Sequence, residues 1–115
     1  AILCYDKKYT IKVNISEIIY ASIARRGTEI HTYDKDGGVN NKRIYFCKQS
    51  LQKLYEILKK YNFAYAHNSY VVNLRYICKR SNEEIQMSNG EILSVSRSKA
   101  KELEKELELY LSQKY

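Results

Sequence analysis

Residues 63 to 73, Phe-Ala-Tyr-Ala-His-Asn-Ser-Tyr-Val-Val-Asn, constrain this chain more than any other stretch. The segment starts and ends strand-like, Phe63 to Tyr65 and Tyr70 to Val72. Its middle is His67-Asn68-Ser69, three short polar side chains rich in donors and acceptors. Such a cluster between two β-prone runs is poor material for a core and good material for an exposed loop or edge. As bare chemistry, one His, one Asn and one Ser suit catalysis, base reading or turn capping alike.

Strand patterns dominate the rest. Tyr9, Ile11, Val13 and Ile15 alternate with Thr10, Lys12 and Asn14, which predicts a half-buried strand with one wet face. Glu17 to Ala24 is more uniformly apolar and reads as a central strand. Arg25-Arg26-Gly27 separates it from a third strand over Thr28 to Tyr33. Asp34 to Lys42, with Gly37-Gly38 and Asn40-Asn41, reads as a mobile turn, and Arg43 to Cys47 returns as a strand. Proline is absent, so nothing forbids these assignments.

Two helices follow from periodicity. Ser50 is placed to cap the first, whose stripe is Leu51, Leu54, Tyr55, Leu58 and Tyr61. The second runs from about Ser98 to the end, with Leu103, Leu107, Tyr110 and Leu111 in register and a glutamate-rich solvated face. Between them, Glu83 to Val95 is a hairpin pattern. A two-residue Asn89-Gly90 turn would set Ile85 opposite Ser94. A three-residue Ser88-Asn89-Gly90 loop with Gly90 left-handed sets Ile85 opposite Leu93, and this register gathers the apolar side chains better. The reading is a single domain, mostly β with two helices, one short in mid-chain and one C-terminal.

The formal charge of +7, from 20 Lys and Arg against 13 Asp and Glu, favours a polyanionic partner. Residues 1 to 96 hold 15 of the basic and 9 of the acidic groups, so the excess lies on the β-rich body rather than the last helix. Cys4, Cys47 and Cys78 are widely spaced, without a close ligand pair, which argues against structural zinc. Each lies in an apolar or strand-like run and is expected to act as a small buried hydrophobe, reduced in a cytoplasmic protein. No segment reads as a membrane span or lipidation motif, and no cofactor or metal is expected.

The run His67-Asn68-Ser69-Tyr70-Val71-Val72-Asn73, then Leu74 and Ile77, then Asn89-Gly90 and Val95-Ser96-Arg97, resembles the LytTR DNA-binding domains of bacterial response regulators. The spacing from Leu51, Leu54 and Leu58 through Phe63 matches as well. The resemblance covers nearly the whole chain and is specific in its second half; over residues 1 to 48 it is only a strand pattern. Within the family the chain is most similar to regulators of quorum-sensing and virulence circuits. The resemblance implies an elongated multi-stranded β structure that contacts DNA with loops rather than a recognition helix. The matching contact positions are Asn68 and Arg97, with a third near Thr28, a loop that Arg25 and Arg26 could serve instead. It also implies double-stranded DNA with paired direct repeats as partner, an arrangement compatible with a dimer on DNA, and a receiver domain preceding this segment, which starts at Ala1 without a Met.

The residue chemistry is compatible with that role. The planar fork of an Arg matches guanine O6 and N7, and the amide of Asn suits adenine. His67 can donate or accept, and Ser69 or Ser96 can hold phosphate. Each has a plainer reading: His67 shaping its loop, Asn73 holding a turn, Arg97 an ordinary charge at a strand–helix junction, His31 a surface strand residue without a partner. A nuclease or hydrolase built on His67 and Ser69 is an alternative, although no acidic residue near His67 in sequence orients it. An RNA-binding or protein-interaction module using the 12 Tyr is another, with Tyr9, Tyr20, Tyr45 and Tyr70 falling instead in the core or half-core of the strand pattern.

Overall fold

The computed structural model describes residues 1–33 and 42–114, so the turn expected over Asp34 to Lys42 lies outside the described residues except for Lys42. The strands are β1 (Ile2–Asp6), β2 (Tyr9–Val13), β3 (Ile18–Ala24), β4 (Gly27–Tyr33), β5 (Lys42–Cys47), β6 (Phe63–His67), β7 (Tyr70–Asn73), β8 (Ile77–Arg80), β9 (Glu84–Met87) and β10 (Ile92–Ser94). The helices are α1 (Leu51–Leu58) and α2 (Arg97–Lys114). Seven strands form one antiparallel sheet in the order β2-β1-β5-β4-β3-β7-β6, and β10-β9-β8 form a second. The body measures 40 × 31 × 24 Å.

Two hydrophobic layers share the large sheet. On one face Ile2, Cys4, Val13, Ala21, Ile30 and Val71 pack against Leu51, Leu54 and Leu58 of α1. On the other, Ala64, Ala66 and Val72 pack against Ile85, Met87 and Leu93 of the small sheet and Leu103 of α2. Small side chains at positions 64 and 66 let α2 lie close over the edge strand β6. A register shift between Ile18 and Tyr20 on β3 turns Ile18 into the first layer and both Ile19 and Tyr20 into the second. That is why the run Ile18-Ile19-Tyr20 lacks alternation: the strand is central and buried on both faces.

Most local expectations hold. The Ser50 side chain accepts from the Lys53 N–H at 3.2 Å and caps α1. Ile85 stands opposite Leu93, Gly90 has φ of 88°, and its N–H closes the turn onto the Met87 carbonyl at 2.9 Å. Buried Asn73 does hold a turn, donating to the Ile18 carbonyl at 2.9 Å and accepting from the Arg75 N–H at 3.2 Å. It thereby fixes the 3-10 turn Leu74–Tyr76 between β7 and β8.

Several expectations fail for identifiable reasons. Tyr9 is exposed because it opens β2 at the hairpin tip opposite Asp6, and Ile15 belongs to a 3-10 turn rather than to that strand. After Leu58 the helix tightens to a 3-10 turn, Lys59–Tyr61, which takes Tyr61 off the apolar stripe and leaves it exposed. Leu111 is exposed near the end of α2. Cys78 is exposed on β8, unlike Cys4 and Cys47. His31 has partners after all: it stacks on Tyr20 with ring centroids 3.9 Å apart, and its Nε2 lies 3.1 Å from the Ser22 hydroxyl. Burial lowers the affinity of that imidazole for a proton below its ordinary value, against the opposing pull of Glu91 and Glu29.

Candidate nucleic-acid interface

The polar cluster at His67-Asn68-Ser69 is the turn of the β6–β7 hairpin. His67 and Tyr70 face each other in register, with rings stacked at 4.9 Å, and Asn68 and Ser69 form the tip. The Ser69 N–H donates to His67 Nδ1 at 3.1 Å, so the imidazole shapes the turn, and with Nδ1 accepting, Nε2 is the ring nitrogen left to donate. What meets His67 is the Ser69 backbone and not its hydroxyl, an arrangement that does not activate a serine nucleophile.

A second turn stands beside the first. β3 and β4 are joined by Arg25-Arg26, with Ala24 opposite Gly27. The Ile23 N–H donates to the Ser69 carbonyl at 2.8 Å, which ties the two tips together across β3 and β7. Arg26 has φ of 66°, a left-handed conformation costly for a side chain with a Cβ, and glycine occupies the next position instead. Gly27 is required there by close approach: a Cβ would stand 2.3 Å from the Cys47 carbonyl oxygen and 2.6 Å from the Phe46 ring. Both arginines are exposed.

The third part is the start of α2. The Ser96 N–H donates to the Ala66 carbonyl at 2.9 Å, which seats the β10–α2 junction on β6. Ser98 Oγ then lies 3.5 Å from Asn68 Oδ1 and 3.4 Å from Ser96 Oγ. Arg97, exposed, begins the helix one residue earlier than the periodicity predicts. Lys99 in the same turn sits over the Tyr65 ring, 5.0 Å from its centroid.

The structure thus brings Arg25, Arg26, His67, Asn68, Ser69, Ser96 and Arg97 to one end of the large sheet. Thr28 does not join them. It is fully buried, and its hydroxyl donates to the Gln49 carbonyl at 2.8 Å, so it holds the β5–α1 loop and offers nothing to an outside ligand. Among the described residues, Lys42, Lys59 and Arg80 are paired with Glu91, Glu56 and Glu104, whereas Arg25, Arg26 and Arg97 form no ion pair. A cation without a carboxylate partner keeps its full charge for a phosphate. Tyrosines, by contrast, are largely taken up internally: Tyr20 donates to Glu91, Tyr33 to Ser88, Tyr70 to the Ser94 carbonyl and Tyr76 to the Ser16 carbonyl. Tyr9 and Tyr61 are the strongly exposed ones among the described residues, and they lie on different elements. Among the described residues these do not make a row of open rings for stacking single-stranded bases.

Loop tips with free arginines and an exposed amide, mounted on a rigid sheet, are suited to DNA and agree with what is similar to this chain. The LytTr DNA-binding domain family matches residues 8–108. A solved structure from Bacillus cereus, the LytTr domain of a protein described as a methyl-accepting/DNA response regulator, superposes with a TM-score of 0.75 at 24% identity. The match covers 92% of this chain and 94% of that one, and at this identity it speaks for the fold. No curated relative matches in sequence. With its family match spanning nearly all of the sequence and its strands and helices arranged in the same fold, the chain belongs to the LytTr DNA-binding domain family.

Proposed function

We propose that this domain reads duplex DNA sequence-specifically with its turns, as the output part of a bacterial transcription regulator. The observation that carries the reading is the convergence of the β3–β4 turn, the β6–β7 turn and the first turn of α2 at one sheet end, tied by the Ile23–Ser69 and Ser96–Ala66 backbone bonds. Arg97 takes the role of guanine reader, Asn68 that of a mixed base and backbone contact, and His67 Nε2 that of a further donor. Ser69 and Ser96 serve the phosphates, and Arg25 and Arg26 serve the loop contact that the family makes near Thr28. Residues 1–115 act as one domain of a longer cytoplasmic regulator whose receiver precedes it, and two copies occupy paired direct repeats.

Selection of bound sites from random duplexes, followed by titration at two salt concentrations, tests this. With several phosphates neutralised, affinity for a selected site falls on the order of a hundredfold or more between about 50 and 200 mM salt. Equal affinity for selected and scrambled duplexes at every salt would reduce the domain to a generic basic surface.

A further inference from the structure

We infer that the interface includes a sequence-independent anchor outside the reading turns: a cleft between the β3–β4 turn and the start of α1, where Lys48 seats a backbone phosphate of the same duplex. This inference rests on the DNA-reading proposal above. The cleft, of about 510 Å³, has Ile23 and Leu51 as apolar walls and Arg26, Lys48 and Gln52 on its rim. Ile23 is 56% exposed, unusual for a large aliphatic side chain at the end of a central strand, and gives the wall a surface on which a sugar can rest.

Position in the fold decides what the cleft can touch. Lys48 follows β5, and the strand order β5-β4-β3-β7-β6 separates the end of β5 from β6 by four strand steps. At about 4.8 Å per step that is roughly 19 Å. The start of α2, with Arg97, is bonded to β6. A major groove is only about 12 Å wide. With Asn68 and Arg97 at one major groove, Lys48 therefore stands beyond its edge, near the phosphate strands that flank it, and its single ammonium suits a phosphate better than a bidentate base contact.

The cleft is also held in shape. Thr28 binds the Gln49 carbonyl, Gly27 presses against the Cys47 carbonyl, and the Ser50 hydroxyl is engaged as the α1 cap. The Lys48 ammonium sits 4.6 Å from the centroid of the Tyr5 ring. Among the described residues it has no carboxylate partner. The Tyr5 ring belongs to β1 and lies outside the cleft, so the ammonium leaves it for the phosphate, a swing that the flexible lysine stem permits.

The test compares Lys48→Ala, Lys48→Gln and Lys48→Arg with Arg97→Ala on a selected and a scrambled duplex across salt. Thermal unfolding confirms that each variant is folded. Both neutral Lys48 variants are expected to lose affinity for the two duplexes by the same factor and to lower the salt slope by about one unit, with Lys48→Arg restoring both. Methylphosphonate linkages on the flank that abolish the difference between wild type and Lys48→Ala would identify the phosphate. Two results overturn the anchor: unchanged affinity and slope in the neutral variants while Arg97→Ala weakens binding, or a loss confined to the selected duplex. Wild-type behaviour of Arg97→Ala and Asn68→Ala would instead count against the reading turns themselves.

Discussion

Under the proposed function, substitutions of the arginine at position 97 and the asparagine at position 68 are expected to separate the two kinds of contact that a DNA-binding surface makes. Arg97→Ala is expected to cost about 1–3 kcal/mol on a selected site and to relax preference at one guanine position. Asn68→Ala gives a mixed result, since its amide stands beside Ser98 and the backbone of the β6–β7 turn. Binding of both variants at wild-type affinity with unchanged thermal stability would move the reading surface elsewhere. Single residues also report on the interior. Burial pushes the Cys4 thiol up to about 12, and Cys47 lies beside it, whereas Cys78 is exposed. A thiol-reactive dye should therefore label one cysteine in the native protein and three in denaturant; fast native labelling of Cys4 or Cys47 would contradict the burial. His31 supplies a pH dependence. Its folded-state proton affinity is lowered, chiefly by burial, so on acidification the unfolded chain takes the proton first, at the ordinary value of 6.5. Its contribution to stability is then lost progressively as pH falls through the window between the unfolded and folded values. Melting curves between about pH 8 and 5 should fall less steeply for His31→Gln than for wild type; parallel curves would dismiss the effect.

Among the elements, the β9–β10 hairpin gives the sharpest test of turn chemistry. Gly90 has positive φ, and a Cβ there would meet nothing within 4 Å. The cost of Gly90→Val is therefore a backbone cost, on the order of 1–3 kcal/mol, with Gly90→Asn well below it. Equal melting temperatures for the two variants would show that the left-handed turn is not required. The same hairpin shows what a sequence makes legible. Asn-Gly chemistry and the Ile85–Leu93 match are local, as are the Ser50 cap and the α1 stripe, and all can be read without knowing the fold. Short strands without a strong flanking signal cannot. β1 and β8 are five and four residues long and acquire meaning only from their pairings with β2 and β9. Thr28 looks like a loop residue beside two arginines until β5 is laid against β4, which buries it. His31 gains its partner from the β3–β4 register, which sets it opposite Tyr20. Lys48 carried no motif at all; only the strand order places it at the same sheet end as the turns.

At the scale of the whole molecule, the two hydrophobic layers use opposite faces of the same strands. β3 sends Ile18 and Ala21 to one layer and Ile19 and Tyr20 to the other, and β7 divides Val71 and Val72 likewise. Neither layer can melt while the other stays intact, so thermal unfolding is expected to be one cooperative transition, with calorimetric and van't Hoff enthalpies equal. Ile30→Ala, in the first layer, and Ile85→Ala, in the second, should each destabilise by roughly 2–5 kcal/mol without splitting the transition. A resolved second step would mean that the layers are independent. The joins between the three turns have a different consequence. Ile23 to Ser69 and Ser96 to Ala66 are bonded main chain to main chain, and such bonds are indifferent to which side chains stand at the tips. If the turns read bases as proposed, operator preference is open to drift, or to rewriting by an engineer, through substitutions at tip positions such as 25, 68 and 97, while the scaffold that presents them goes on folding as before.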